Sequence, residues 1–384
     1  MMKIFEYMKK LELFIYLLLL NLCSLSLSCS GENTKPSMIS RPMTSNYYVY
    51  ISDTSQGIAI YKMNPINGDL HFMKKVDAGG QPGSLTVDPT HTYLYAAIRS
   101  KNSIAAFRMH SQNGDLTALN TIQVGMNPVY VKTDRTGKFL FTADNNINRA
   151  SLFLIEQTGA VQRGAVQVIT TADFPHSLQT DPSNRFLYVL CRTGEKIQRF
   201  NFDATAGTLS ANSQDVTTPD STGPRHLEFH PALHVVYVVN EFGRSVTAYR
   251  IDTSNGTLTA FQTLSLVPPN VAKPKAPNKG GADIHLTPDN RFLYATNRDP
   301  DELVAFSVDQ VSGILTMLAH YPTESMPRAF YIDPTGKFMY VGGQSSGKLA
   351  AYRIDASTGQ LTHIHTYHVG TSIVWVLLVQ IKAE

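Results

Sequence analysis

The chain has 384 residues, 43% of them hydrophobic and 16% charged, with a formal net charge of +3. The charges are scattered without runs, which excludes a basic footprint of the size that binds nucleic acid. Three cysteines provide neither a disulfide framework nor zinc-ligand spacing, and the length would hold two ordinary domains or one large all-β body.

The N-terminus differs from the rest. Lys3, Lys9 and Lys10 precede an apolar run from Leu13 to Leu22, and small residues follow up to Cys29. This is the pattern of a secretory signal, expected over residues 1–29. Ser26-Leu27-Ser28-Cys29 is an imperfect lipoprotein cleavage box, because its leucine stands one position late. The expectation is an exported protein of the periplasm or cell envelope, touching the membrane only through a lipid on Cys29. Ordinary cleavage nearby, an uncleaved anchor, and a cytoplasmic protein with a non-functional signal stay open as alternatives. Residues 30–46 read as a tether, and after processing Cys191 is the one potential free thiol.

From residue 47 onward the chain repeats itself. A small loop closed by glycine recurs at Gly68, Gly114, Gly159, Gly207, Gly256, Gly313 and Gly359, with spacings of 46, 45, 48, 49, 57 and 46. A second marker lies upstream in each unit, a short strand ending in Asp88-Pro89, Asp134-Arg135, Asp181-Pro182, His230-Pro231, Thr287-Pro288 or Asp333-Pro334. After a turn come strong β-formers such as Tyr93-Leu94-Tyr95, Phe139-Leu140-Phe141, Phe186-Leu187-Tyr188 and Phe292-Leu293-Tyr294. A third strand ends in an aromatic, as at Phe107, Phe200 and Tyr249, and the glycine turn leads to a fourth. A period in the forties built of short apolar strands predicts a β-propeller with one four-stranded blade per repeat.

The count closes only if the two ends share a blade. Six units carry the Asp-Pro strand, while the first begins at its second strand, Tyr48-Val49-Tyr50. The run Ile373-Val374-Trp375-Val376-Leu377-Leu378 supplies the missing innermost strand of that blade, leaving no open sheet edge in the circle. The predicted fold is therefore an all-β, seven-bladed β-propeller over residues 47–384, closed by pairing of N- and C-terminal strands. The long connection that holds Lys273, Lys275 and Lys279 is Pro-rich and reads as a solvated loop.

The innermost strand and its neighbour form an antiparallel hairpin, so the start of the first lies beside the end of the second, near the ring axis. Eleven residues after each turn aspartate or its equivalent stand Arg99, Asn145, Arg192, Glu241, Arg298 and Gln344, and Asp53 is their counterpart in the first blade. Polar residues collect at strand ends in any case. Three arginines beside two acids suit a cup for an anionic substrate. The second position of the inner strand reads Gly83, Val129, His176, Arg225, Ala282 and Arg328. Strand alternation predicts that the next residues, His226 and Asp283, point to the opposite side. Taken singly, Arg225 and Glu241 also fit a structural ion pair, His176 a packed histidine, and Arg99 and Arg192 solvated rim residues.

Longer motifs carry a resemblance. Gly223-Pro224-Arg225-His226-Leu227-Glu228-Phe229-His230-Pro231, followed by Val239-Asn240-Glu241, resembles the seven-bladed propeller lactonases. So do Ala282-Asp283-Ile284-His285-Leu286-Thr287-Pro288, Pro322-Thr323-Glu324-Ser325-Met326-Pro327-Arg328, and Val369-Gly370 with Trp375-Val376. Within that family the chain looks most like the bacterial propeller-type 6-phosphogluconolactonases, and the fungal muconate-lactonizing enzymes share the fold and cup. The resemblance implies metal-independent hydrolysis of a small anionic lactone, with no cofactor. It puts the catalytic roles on His176, Arg225, Glu241 and Arg298, and the substrate-binding roles go to Arg99, Arg328, Asn240 and Gln344. Either Glu241 or His176 would act as general base on water, and Arg225 and Arg298 would hold the oxyanion or the substrate anion. Thr371-Ser372-Ile373 replaces a Gly-Pro-containing turn of the relatives, which puts one wall of the cup in question, and Cys191-Arg192-Thr193 lies in a stretch that varies. An exported lactonase acting on a different lactone, and a non-enzymatic anion-binding propeller, stand as alternatives. Oligomeric state is not legible.

Overall fold

The computed structural model describes residues 45–382, apart from 56, 212–214 and 269–278. The expected signal segment with Cys29 lies outside the described residues, as do most of the tether and both Lys273 and Lys275. Apart from two 3-10 turns at Arg99–Lys101 and Asn145–Ile147, the described residues form strands and their connections.

Those strands assemble into seven sheets, six with four strands. The fourth blade departs from the expected pattern: Thr208–Ala211 and Val216–Thr217 both pair with Lys196–Asp203, so its outer edge is split. The innermost strands run Pro82–Val87, Pro128–Thr133, Pro175–Thr180, Pro224–Phe229, Gly281–Leu286, Pro327–Ile332 and Ile373–Lys382. Each packs beside the next, and the last packs against the first, which makes the circle. Ile373–Lys382 pairs antiparallel with Ser45–Asp53, from Ser45 opposite Lys382 to Asp53 opposite Ile373. The unusual Thr371-Ser372 turn does not disturb this closure. The Asp53 carboxylate accepts the Thr371 and Ser372 amides at 3.3 and 3.2 Å, so the second acid of the expected cup is engaged by the turn.

The two sequence markers have physical causes. In the fourth blade, Asp181 Oδ1 accepts the amides of Arg185 and Phe186, both at 2.9 Å, and Oδ2 accepts that of Ser183 at 2.9 Å. One carboxylate thus ties the whole hairpin turn; Asp88, Asp134 and Asp333 make the matching bond to Tyr93, Phe139 and Phe338. The recurring glycine turn is needed by the neighbouring blade. Gly256 has φ +76°, and a Cβ there would meet the Phe186 ring at 2.6 Å. Its carbonyl then accepts the buried hydroxyl of Tyr188 at 2.6 Å. The same lock joins Tyr50 to Gly114, Tyr95 to Gly159, Tyr237 to Gly313, Tyr294 to Gly359 and, across the ring closure, Tyr340 to Gly68. Blade-to-blade cohesion therefore combines apolar packing with a repeated hydroxyl that would be costly to bury without a partner.

Candidate active site

The site is built where inner strands begin. Pro224 pairs with Asn240, but the next paired residue is His226 with Val239, so Arg225 is an inserted residue in the ladder. The same shift leaves His176 between Pro175 and Ser177, and Arg328 between Pro327 and Ala329. Such a bulge re-aims side chains that simple alternation would send to opposite faces. Here it lets His226, which with Asp283 lines a separate axial cavity, touch the residues of the cup. His226 Nε2 lies 3.3 Å from Arg225 Nη1, its Nδ1 lies 2.8 Å from Asp283 Oδ1, and its ring lies 5.3 Å from that of His176. It also packs edge-on to Tyr130 and tilted on Trp375, at 5.5 and 5.7 Å. Residues from the first, third, fourth, fifth and sixth blades can meet in this way only at the axis.

Glu241 is the electrostatic centre. Arg192 Nη1 lies 2.8 Å from both of its oxygens, Arg298 Nη2 lies 2.8 Å from Oε1, and Arg225 Nε lies 3.2 Å from Oε2. Three arginines from three successive blades therefore converge on one carboxylate that is 1% exposed. Burial pushes Glu241 upward, but Arg225, Arg298 and Arg192 outweigh it and hold the group at about 2. Arg225 also donates to the Ala282 carbonyl, and Arg298 Nε donates to the Gly280 carbonyl at 3.2 Å. Arg192 is stacked on Phe174, its guanidinium carbon 4.2 Å from the ring centre, and faces Phe242 at 5.3 Å.

His176 is buried, and its Nδ1 has no hydrogen-bond partner among the described residues. Burial, then Arg225, His226 and Arg192, drive its basicity well below 6.5, so the imidazole is neutral at neutral pH. Arg328 is half-buried and reaches only Gln344 Oε1, at 3.5 Å; it has no carboxylate within ion-pair distance among the described residues. Burial, then Arg298 and Arg99, lower Arg328 to about 9. Arg99 Nε donates to Asn127 Oδ1 at 2.9 Å, and Asn127 in turn donates to Asn145 at 2.8 Å.

The structure thus brings His176, Arg225, Glu241 and Arg298 together, with Arg328, Gln344 and Arg99 on the more open side. It does not bring Asn240 there: its amide donates to Ser245 and Thr247 of its own blade at 3.0 and 2.9 Å, and the residue is fully buried. Sequence reasoning left Arg192 as a rim candidate, although it holds the same repeat position as Glu241 and Arg298. His226 and Asp283 were missed because the bulge was. On the axis, Tyr130, Lys132, His226, Glu228, Asp283 and Trp375 help line a cavity of about 270 Å³. Among the described residues no group of three or more His, Cys, Asp or Glu has a metal-holding arrangement.

The profile of the family described as "Lactonase, 7-bladed beta-propeller" matches residues 46–378. The chain belongs to the seven-bladed propeller lactonase family. This lactonase is 34% identical over 287 residues to the 6-phosphogluconolactonase of Serratia proteamaculans, covering 74% of this chain and 84% of the relative. A crystal structure from Bacteroides fragilis, described provisionally as a 6-phosphogluconolactonase, superposes with a TM-score of 0.78 at 27% identity, over 90% of this chain and all of that one. The periplasmic gluconolactonase of Pseudomonas aeruginosa shares the fold with a TM-score of 0.80 at 24% identity, over 88% of this chain and 100% of its own. As a lactonase of the 6-phosphogluconolactonase type, the chain is a hydrolase of cyclic carboxylic esters.

Proposed function

We propose that the lactonase hydrolyses a sugar lactone carrying an anionic group, with 6-phosphogluconolactone the first candidate, and does so with its own side chains and no metal ion. The observation that carries this reading is the single buried carboxylate of Glu241 gripped by three arginines next to a neutral, unpartnered His176. The oxygens of Glu241 are taken by guanidinium groups, and its role is to fix the arginines. That leaves His176 as general base. His176 takes a proton from the attacking water as its oxygen bonds to the lactone carbonyl carbon. Arg225 and Arg298 stabilise the resulting oxyanion. The bond to the ring oxygen then breaks, and protonated His176 returns the proton to that oxygen, giving the open hydroxy acid. Arg328 and Arg99, two cations of the cup with no carboxylate within ion-pair distance among the described residues, would take the substrate's phosphate or other anion.

The test is hydrolysis by the purified chain of a panel of phosphorylated and unphosphorylated sugar lactones, with and without a chelator. The expected result is acceleration over buffer that favours the phosphorylated lactones and is unchanged by chelation. No acceleration on any lactone would remove the reading, and loss of activity with chelator would remove its metal-free part. We further propose export with lipidation at Cys29, in which case the natural substrate is an anionic lactone met outside the cytoplasm. Incorporation of a labelled lipid precursor, abolished by Cys29→Ala, is expected; a cytosolic, unlabelled protein would refute this.

A further inference from the structure

The axial histidine His226 has a defined set of partners. Asp283 Oδ1 lies 2.8 Å from Nδ1, and a carboxylate can only accept, so the proton belongs on Nδ1. On the other side of the ring, Arg225 Nη1 stands 3.3 Å from Nε2, and a guanidinium can only donate. The two contacts are compatible only with a neutral imidazole whose Nε2 lone pair faces Arg225. Asp283 is itself held: its oxygens accept the amides of Ile284 and Phe330, both at 3.1 Å, and Oδ2 lies 3.4 Å from His285 Nε2. His285 continues to Glu228 at 3.5 Å. A fixed carboxylate thus sets one histidine, which sets the guanidinium that Glu241 grips from its far side.

We propose that His226, fixed by Asp283, is a positioning residue that orients Arg225 toward Glu241 and the substrate. The proposal rests on the lactonase reading given above, in which Arg225 touches the reacting oxyanion. A histidine–carboxylate pair of this kind acts through tautomer and ring orientation, and misplacing a catalytic group by an ångström costs orders of magnitude in rate.

Two substitutions separate this from a role in folding. Asp283→Ala removes the acceptor that holds the proton on His226 Nδ1, freeing it to move to Nε2 against Arg225. His226→Asn keeps a donor for Asp283 but has no atom that reaches Arg225. Each is expected to lower kcat/KM at least about tenfold, and the double variant to be no worse than the weaker single by more than about twofold, since the two act in series. Wild-type kcat/KM in either variant, or losses that multiply in the double, would overturn the proposal. A tautomer readout stands independently of folding of the variants and of the substrate. ¹⁵N spectra of the histidine-labelled wild-type chain, with His226 assigned through its contacts to Tyr130 and Trp375, are expected to show the Nδ1–H form. An Nε2–H or doubly protonated ring overturns the proposal. Should the wild-type chain hydrolyse no lactone at all, the lactonase reading falls by itself, and the spectra alone decide whether the Asp283–His226 arrangement exists.

Discussion

Arg192 Nη1 lies 2.8 Å from each oxygen of Glu241, a contact that crosses from the fourth blade to the fifth. With Arg225 and Arg298 on the same group, Glu241 is the one anion holding three buried or half-buried cations in place. Removing its charge leaves those cations facing one another.

Glu241→Gln is therefore expected to do double damage. Lactonase kcat/KM should fall by roughly a hundredfold or more, because the arginines proposed to hold the oxyanion lose their frame. Stability should fall by about 3–5 kcal/mol, as when one partner of a buried ion pair is deleted. Circular dichroism is expected to retain the β signature while thermal denaturation shifts downward. Activity near wild type would exclude Glu241 as organiser of the cup.

Arg328 is a test of substrate choice. Among the described residues its guanidinium reaches only Gln344. Arg328→Ala is expected to raise KM for a phosphorylated lactone by about tenfold or more, the cost of one charge-assisted contact, and to change KM for an uncharged lactone little. Equal effects on both substrates would move the anion contact elsewhere.

Stability is expected to drop on the acid side. Burial first, then Arg225, lowers His226 from 6.5 to about 4, and His176 is driven well below 6.5 by burial and the same arginine. Both rings are neutral when folded and take up a proton on unfolding, so the stability they contribute above pH 6.5 is lost as pH falls through their folded values. Glu241, held at about 2 against an ordinary 4.5, adds a second loss below pH 4.5. The urea midpoint should decline as pH goes from 6.5 to about 4, and less steeply in His226→Asn. Because Asp144, raised to about 6 by burial, acts in the opposite sense over this range, the deciding comparison is the slope: equal slopes in wild type and His226→Asn would contradict the neutral assignment.

Asn240 should separate from the cup. Its amide is spent on Ser245 and Thr247 inside the blade. Asn240→Ala is expected to cost about 1–3 kcal/mol by stranding buried hydroxyls, with KM unchanged in the folded protein. A large KM change without loss of stability would return Asn240 to the substrate.

The ring was legible because its causes are local and repeated. Six of the seven glycine turns serve a tyrosine of the adjacent blade, Gly207 lies against Phe139, and each turn aspartate ties its own hairpin, so period and residue type recur together. Position along the strand also located Glu241, Arg225 and Arg298, since a hairpin places its open end by geometry alone. Aim was less legible. Whether His226 turns toward or away from Arg225 depends on one inserted residue in the ladder, and Pro224 marks that place only in retrospect. Asn240 and Glu241 are neighbours in sequence, yet one packs into the blade and the other faces the arginines. Arg192 looked like rim because its partner lies in the next blade, a distance that no spacing within one repeat encodes.

The pairing of Ser45–Asp53 with Ile373–Lys382 has a consequence for synthesis. Synthesis delivers Ser45–Asp53 before all the other described strands and Ile373–Lys382 after them, so the first blade stays incomplete while the other six are made. The candidate site draws on the fourth, fifth and sixth blades, yet Trp375, which packs against His226, arrives with the closing strand. A chain without that strand would leave Ser45–Asp53 as an unpaired sheet edge, open to pairing with another chain, where the closed ring has none.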